Sequence, residues 1–232
     1  MAAFLGIACV LASRWDAPAQ MPVYGNYFAH DPSPMIKDGT NYFIYWTSQG
    51  IMGKKSSDLR NWTSTARVFP GKPPSWTTNA VPGFTGSFWA PDVIFRNGKY
   101  SLYYAISTFG TSDSAIGLAT SPSLVSPTWT DQGPVIESAS GTSKYNAIDP
   151  CALQDTNGTL WLVLGSYFGG IYITQLDPTT GKPINAANST RISYNGTTGA
   201  TSTEEGSFLY QRGGYYYLFV NWGVCCQGIN ST

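Results

Sequence analysis

Hydrophobic and polar positions follow the same pattern four times along the chain. In each copy an acidic residue precedes an apolar run, a two-residue turn signal, a second apolar or aromatic run and a further apolar segment. Dipeptides such as Asn-Gly favour tight β-hairpin turns because they accept positive φ angles. Each copy is therefore predicted to be an antiparallel β-meander. The acids are Asp31, Asp92, Asp149 and Glu205, the turn signals are Asp38-Gly39, Asn97-Gly98, Asn157-Gly158 and Gly213-Gly214, and the third segments contain Ile51, Ile116, Ile171 and Ile229.

The spacing of the acids predicts the arrangement of these meanders. Successive acids are 61, 57 and 56 residues apart (92 − 31, 149 − 92, 205 − 149). A repeat of this length with several short strands is typical of β-propeller blades, whose first strands line a common axis. The acids should then converge at one mouth of the channel. A β-sandwich with solvated acids at its strand edges is the alternative, but it does not require the matched offsets. Only 27 residues follow Glu205 (232 − 205), so we expect a propeller truncated after the start of the fourth blade's third strand.

The amino-acid composition limits the classes of molecule that the chain is expected to bind. Charged residues make up 11% of the chain, with 13 basic and 13 acidic side chains. No basic stripe is present to neutralise phosphates, so nucleic acid is not expected as a partner. No segment of the mature chain is long and apolar enough to predict a membrane span. The aromatic content of 15% suits both strand cores and stacking against sugars, and composition does not separate the two uses.

The N-terminus predicts export. Residues 1–19 contain a short apolar run followed by Ala17-Pro18-Ala19, which resembles a signal-peptide cleavage site. We therefore expect a signal peptide over 1–19, a β-propeller domain over 20–232 and an extracellular location. Glycosylation is expected on some of five Asn-x-Ser/Thr sequons, which begin at Asn61, Asn157, Asn188, Asn195 and Asn230.

Several carboxylates around one channel favour acid–base chemistry on a neutral substrate. Glycoside hydrolysis needs a proton donor and a second carboxylate that flank one bond, and a further acid nearby would raise the pKa of the donor. A Ser/His/Asp triad would have to use His30, the only histidine, and no Cys/His spacing suggests zinc. The pairing of Cys151, Cys225 and Cys226 stays open, because a vicinal disulfide and a bond from Cys151 to either neighbour are both possible.

Four ordered motifs resemble glycoside hydrolase family 43, and most closely its endo-1,5-α-L-arabinanases. They are His30-Asp31-Pro32-Ser33, Ser87-Phe88-Trp89-Ala90-Pro91-Asp92, Asn146-Ala147-Ile148-Asp149-Pro150 and Glu205-Gly206-Ser207-Phe208. The resemblance covers about residues 24 to 232 and implies a five-bladed propeller. It implies an inverting hydrolase that cuts internal α-1,5-linked bonds of plant cell-wall arabinan and acts on arabinan or arabino-oligosaccharides as a monomer. An exo-acting α-L-arabinofuranosidase or β-xylosidase of this family, or a non-catalytic carbohydrate-binding propeller, is the alternative.

The resemblance also implies roles for individual residues. Asp31 matches the general base, Glu205 the general acid, and Asp149 the carboxylate that raises the pKa of the acid and orients it. Trp89 and Phe109 match aromatic residues that pack on arabinose rings, and Asn146 and Ser166 match polar contacts near the scissile bond. No cofactor is expected for the acid–base chemistry. Relatives often hold calcium with a histidine late in the chain, and this sequence lacks that histidine.

Overall fold

Strands dominate the chain. A computed structural model describes residues 21–196 and 202–223, and the regular elements there are β-strands except for one helical turn, α1 (Thr77–Ala80), and a 3₁₀ turn (Ala186–Asn188). The prediction of an all-β protein is confirmed. None of the helical segments in these ranges has the length and apolar character needed to cross a membrane. The predicted signal peptide, Cys225, Cys226, Ile229 and Asn230 lie outside the described residues.

Within the described residues the strands form four successive sheets, as the four sequence repeats predict, and all strand pairs are antiparallel except β1 with β6. The first has the order β1-β6-β5-β3-β2, the second β10-β9-β8-β7-β4, the third β11-β12-β13-β14, and the fourth consists of β15 and β16. The bounds are β1 (Tyr24–Gly25), β2 (Ile36–Asp38), β3 (Asn41–Trp46), β4 (Ser48–Gln49), β5 (Met52–Ser56), β6 (Asn61–Ser64), β7 (Ser87–Arg96), β8 (Lys99–Ser107), β9 (Ser114–Ser121), β10 (Thr130–Ser138), β11 (Cys151–Gln154), β12 (Leu160–Leu164), β13 (Ile171–Leu176), β14 (Thr190–Ser193), β15 (Glu204–Arg212) and β16 (Tyr215–Trp222).

The first strands of the second, third and fourth sheets to pair within their own repeat, β7, β11 and β15, lie next to one another. Strand β11 contacts β7 of the preceding sheet and β15 of the following sheet. We call β2, β7, β11 and β15 the inner strands. This arrangement places the starts of the inner strands near one another, as a propeller requires. The number of blades in a complete ring, and the predicted point of truncation, stay predictions.

Two of the four turn signals form the two-residue hairpin turns that were predicted, and the other two form different turns. Asn97-Gly98 and Gly213-Gly214 are two-residue turns in which both residues have positive φ, as predicted. In the first repeat Asp38 pairs with Asn41, so the turn residues are Gly39 and Thr40 and not Asp38-Gly39. In the third, Asp155 bonds to Thr159 around a three-residue loop that ends at Gly158. A glycine with positive φ at the end of a three-residue loop forms a G1 bulge, which explains the extra residue.

In the second repeat, the residue equivalent to Asp31 and Asp149 lies two residues earlier in the chain than the spacing of the acids predicted. Asp31, Ala90 and Asp149 all precede a proline, and they have φ angles of 45°, 37° and 54°. These residues are 59 residues apart in both steps (90 − 31, 149 − 90). Ala90 therefore occupies the position that the spacing analysis gave to Asp92. The three φ angles are unusual for residues with a side chain and identify one shared backbone bend.

Asp92 occupies another position that recurs in the four repeats, two residues after Asp31, Ala90, Asp149 or Glu205. The other residues at this position are Ser33, Cys151 and Ser207. All four residues are buried. The Asp92 carboxylate accepts the backbone N–H of Ala152 at 2.7 Å, and the Cys151 sulfur accepts that of Leu209 at 3.3 Å. Each bond joins one inner strand to the next. We call this position the seam position.

Apolar side chains between neighbouring sheets form the core. One cluster, which includes Phe43, Phe88 and Tyr104, lies between the first and second sheets. Another, which includes Tyr103, Leu118 and Leu162, lies between the second and third. The predicted third-strand residues Ile51, Ile116 and Ile171 are fully buried in these layers or the next one. Packing between sheets therefore fixes the inner strands, and with them the residues at their starts.

Candidate active site

Asp149 lies at the bend before β11 and is held by the next sheet. Its Oδ2 atom accepts the backbone N–H of Gly206 at 2.9 Å. Although part of the residue reaches solvent, the carboxyl group is enclosed by protein, and this burial raises its pKa to about 7. The negative charges of Glu205 and Asp31 raise the pKa further, whereas the bond from Gly206 opposes the shift. Asp149 therefore shares one electrostatic environment with both other predicted acids.

Glu205 lies near the start of β15 and is half-buried. The hydroxyl of Ser166 donates to its Oε2 atom at 3.3 Å. Burial raises the pKa of the Glu205 carboxyl, the bond from Ser166 lowers it, and the charge of Asp31 raises it again. Burial is thus the main cause of the raised pKa, and the carboxylate charge that adds to it is that of Asp31, whereas the resemblance assigned this effect to Asp149. A raised pKa favours the protonated form that a proton donor needs.

Glu204 differs from its neighbour. Glu204 is buried, whereas Glu205 is half-buried. The Ser193 hydroxyl donates to the Glu204 carboxylate at 2.6 Å, and the Glu204 carbonyl accepts the N–H of Tyr167. Adjacent strand residues point to opposite faces. Glu204 therefore anchors the strand while Glu205 is directed toward the other acids.

Asp31 lies at the bend before the first inner strand, and its side chain is 44% exposed. The Thr47 hydroxyl donates to Asp31 Oδ2 at 2.6 Å, and Thr47 Oγ1 accepts the backbone N–H of Ala90 at 2.8 Å. His30 Nε2 is 3.3 Å from the same carboxylate oxygen. The Asp31 carboxylate is thus oriented by a chain of hydrogen bonds that runs from the Ala90 N–H of the second sheet through the Thr47 hydroxyl, which we call the Thr47 relay. One side of the carboxylate stays open to water.

Asn146 and Ser166 occupy buried positions behind the acids. Ser114 donates to Asn146 Oδ1 at 2.7 Å, and Asn146 Nδ2 donates to the Ser166 carbonyl at 3.4 Å. The hydroxyls of Ser107 and Ser114 are 2.7 Å apart. This buried chain fixes Ser166, whose side chain bonds to Glu205, so Asn146 is placed to orient and Ser166 to contact the predicted acid.

The two predicted aromatic residues differ in their surroundings. Trp89 precedes Ala90, is half-buried, and packs against the core between the second and third sheets. Phe109 is 82% exposed in the connection between β8 and β9. Trp89 therefore has both a core role and a position next to the Thr47–Asp31 relay. Phe109 has a free ring near the same end of the sheets, but no bond to the acids.

Sequence reasoning missed Thr47 and Ala90. The available signal was the Ala90-Pro91 dipeptide, which has the same spacing of 59 residues from Asp31-Pro32 and Asp149-Pro150. Thr47 gave no comparable signal, because its contact with Asp31 depends on how two sheets approach each other.

The described residues contain no cluster of metal-binding side chains. Among residues 21–196 and 202–223, no three acidic, histidine or cysteine side chains come together in an arrangement able to hold a metal ion. A calcium ion, which relatives of the resembled family often hold, stays a prediction.

The sheet arrangement and the interacting carboxylates at the starts of the inner strands define an all-β domain of the propeller type. Comparison with known proteins gives its family. Residues 20–232 match the model for glycosyl hydrolases family 43. The chain is 43% identical over 222 residues to the extracellular endo-α-(1→5)-L-arabinanase 1 of Bacillus subtilis, with 93% of this chain and 67% of that protein covered. It therefore belongs to glycosyl hydrolase family 43.

Solved structures and other relatives agree on the family. The GH43 endo-arabinanase of Bacillus licheniformis superposes with a TM-score of 0.84 at 40% identity, covering 90% of this chain and 71% of that one. The extracellular exo-α-(1→5)-L-arabinofuranosidase ArbA of Cellvibrio japonicus is 35% identical, with 88% of this chain and 61% of that protein covered. The chain thus spans about three fifths to two thirds of the length of the curated relatives it matches.

Proposed function

We propose that this protein is an inverting endo-1,5-α-L-arabinanase that cleaves internal bonds of plant cell-wall arabinan. The observation that carries the proposal is the electrostatic interaction of Asp31, Asp149 and Glu205 at the starts of three inner strands. Membership of glycosyl hydrolase family 43 and relatives named as arabinanases support the substrate class.

The surroundings of each acid suit a different step. Asp31 is exposed and oriented by Thr47, which suits a general base that activates water. Glu205 has a raised pKa and a bond from Ser166, which suits a general acid that protonates the glycosidic oxygen. Asp149 is the third carboxylate, and its interaction with Glu205 favours a proton held on that pair. Inversion requires room for water, so the base and acid should lie about 6.5–9.5 Å apart in the substrate complex.

Single replacements test the assignment. Asp31→Ala and Glu205→Ala should each abolish cleavage of linear arabinan, measured as reducing ends released. NMR of the first-formed product should show inverted anomeric configuration. Near-full activity in either variant would refute its role, and a product of retained configuration would exclude the inverting mechanism.

Product size separates endo from exo action. An exo-acting enzyme is a specific alternative because relatives at 35% and 37% identity carry exo names. Chromatography of early products from linear arabinan should give oligosaccharides of several lengths. Monomer alone would favour an exo-acting arabinofuranosidase, and binding without turnover would favour a carbohydrate-binding role.

We also propose the five-bladed architecture and secretion. Asp92 and Cys151 at the seam position each accept an N–H from the next sheet, whereas the buried Ser207 hydroxyl at this position has no partner among the described residues. A further sheet beside β15 would supply one. Relatives named extracellular support secretion, and export through a eukaryotic secretory route would make the sequons available for glycosylation. Expression in a secreting eukaryotic host, with mass spectrometry of the N-terminus and sequon peptides, tests secretion and glycosylation, and an uncleaved intracellular product would contradict both.

We also propose that the protein is a monomer, which should appear as a single species of monomer mass in sedimentation.

A further inference from the structure

The loop at residues 165–170 joins β12 to β13 and lies beside the candidate acid. Its Ser166 hydroxyl donates to Glu205 Oε2 at 3.3 Å. Its first N–H group donates to the Ile148 carbonyl at 2.9 Å, next to Asp149 in the chain. The loop therefore belongs to the end of the sheets where the acids meet. A further sheet beside β15 would pack on the side of the fourth sheet away from this loop, so a closed ring would leave the loop at the mouth of the channel.

Phe168 occupies a backbone position in this loop that favours glycine. The Gly170 N–H donates to the Tyr167 carbonyl at 2.8 Å, which closes a β-turn. Of the two central residues of the turn, Phe168 has a positive φ of 38° and Gly169 does not. This is the pattern of a type II′ turn, whose first central position favours glycine because a Cβ strains the backbone there. A phenylalanine at this position is therefore unfavourable for the backbone.

Neighbouring segments hold the strained turn in place. The Ser202 N–H donates to the Phe168 carbonyl at 3.3 Å. Gly169 lies so close to the segment before Asn146 that an added Cβ would collide with the Lys144 carbonyl. Contacts with two other segments thus explain how Phe168 keeps its unfavourable φ. Strain that the surrounding structure maintains in this way clusters at active sites and ligand clamps.

The apolar core does not account for the Phe168 side chain. The residue is 39% exposed. Among the described residues it belongs to none of the three apolar clusters between the sheets, and no other aromatic ring packs against it. Trp89 differs, because it is half-buried and packs against one of these clusters. A partly exposed aromatic ring on a fixed turn is available to bind a ligand.

We propose that the Phe168 ring binds a sugar unit of the arabinan chain on the Glu205 side of the cleft. The identity of this ligand rests on the proposed function. Aromatic rings pack on the apolar C–H faces of sugars, and a neutral arabinose unit needs no charged partner. Phe168 is two residues from Ser166, so their Cα atoms are at most about 7 Å apart. The ring is therefore close enough to contact a sugar next to the bond that Glu205 would protonate.

Binding measurements on an inactive background test the ring without requiring turnover. In Glu205→Gln, we expect Phe168→Leu to raise the Kd for arabinohexaose about tenfold in calorimetry, because the aromatic contact is lost. Phe168→Tyr keeps the ring and should leave the Kd within about twofold. Both replacements keep a Cβ at the positive φ, so the difference between them reports the ring and not the turn.

Replacement by glycine separates binding from folding. Phe168→Gly should also raise the Kd about tenfold, since it removes the ring while the turn is retained. Leu59→Gly is the matched control, because Leu59 is 40% exposed, has a φ of 62° and lies between β5 and β6 at the other end of the sheets. The two glycine variants should shift the urea midpoint of unfolding by similar amounts, and Leu59→Gly should leave the Kd unchanged.

Other outcomes would overturn the assignment of Phe168. Unchanged arabinohexaose binding in Phe168→Leu would exclude it, and so would equal losses in the leucine and tyrosine variants. A much larger fall in the urea midpoint for Phe168→Gly than for Leu59→Gly would assign the ring to packing. Failure of the proposed function is distinguishable, since it would appear as no hydrolysis by the unmodified chain and no binding by Glu205→Gln itself, and it would overturn both proposals.

Discussion

Asp31 and Asp149 occupy the same bend of two repeats but have different surroundings. Both precede a proline and have positive φ angles. Asp149 accepts the Gly206 N–H directly and is enclosed, whereas Asp31 reaches the Ala90 N–H only through Thr47 and stays open to solvent. The repeat therefore determines the backbone conformation at this position, whereas contacts with the neighbouring sheet determine the hydrogen bonds and the exposure of each carboxylate. One symmetric position can in this way supply both an exposed carboxylate and an enclosed one.

Removing the charge of Asp31, the exposed carboxylate of the pair, should have the largest effect on activity. Asp31→Asn keeps the shape and the bond from Thr47 but cannot take a proton from water. We expect kcat on linear arabinan to fall about 10²- to 10⁴-fold, the usual contribution of general acid–base catalysis. Circular dichroism should show an unchanged fold. Residual activity above a tenth of the original would remove Asp31 from the mechanism.

Replacing the enclosed member should change how stability depends on pH. The pKa of Asp149 in the folded protein is about 7, above that of an unfolded aspartate. The folded state then binds more protons, so this contribution to stability is present below about pH 4 and is lost as the pH rises to about 7. Asp149→Asn should remove up to about 1.4 kcal/mol per pH unit from that slope.

Urea unfolding at intervals from pH 4 to 7 measures this slope. Asp92, whose pKa burial also raises to about 7, titrates in both proteins, so the variant should keep part of the dependence. Asp92→Asn provides a matched comparison away from the acids. Parallel curves for Asp149→Asn and the unmodified protein would contradict the enclosed state of Asp149.

Interrupting the Thr47 relay should have an intermediate effect. Thr47→Val keeps the volume but removes both the donor to Asp31 and the acceptor for Ala90. Small errors in placement are costly in catalysis, so we expect kcat to fall about 10- to 100-fold with little change in KM. Thr47→Ser retains the hydroxyl and should recover most of the activity. Equal losses in both variants would indicate a packing role for the methyl group.

The smallest effect is expected at the donor to Asp149. Gly206 has a φ of 59°, and an added Cβ would lie 3.0 Å from Asn221 Nδ2. Gly206→Ala should lower the free energy of unfolding by about 1 kcal/mol because of the strained backbone. Thermal unfolding measures the change. Gly39→Ala is the control, since that glycine has a similar φ of 58° but no neighbour within 4 Å. A larger loss at Gly39 than at Gly206 would contradict the close contact with Asn221.

Periodic features of the sequence predicted most of the fold and the three acids. Alternating apolar runs and turn dipeptides mark the meanders, and the X-Pro bends mark the residues before the inner strands. The second repeat was aligned wrongly because Asp92 carries the expected side chain two residues from the expected backbone. Thr47 was missed because its role arises only where two sheets meet. The spacing and the resemblance selected Glu205, but the burial of Glu204 could not be predicted without knowing which face of β15 each residue occupies.

The sulfur at the seam position has a practical consequence. Cys151 is buried, burial raises the pKa of its thiol, and it joins the third sheet to the fourth. Such a thiol reacts with alkylating reagents only when its surroundings open. The rate at which the Cys151 peptide becomes labelled, followed by mass spectrometry, therefore reports openings that expose this thiol, among them separation of those two sheets, and offers a built-in probe of local unfolding.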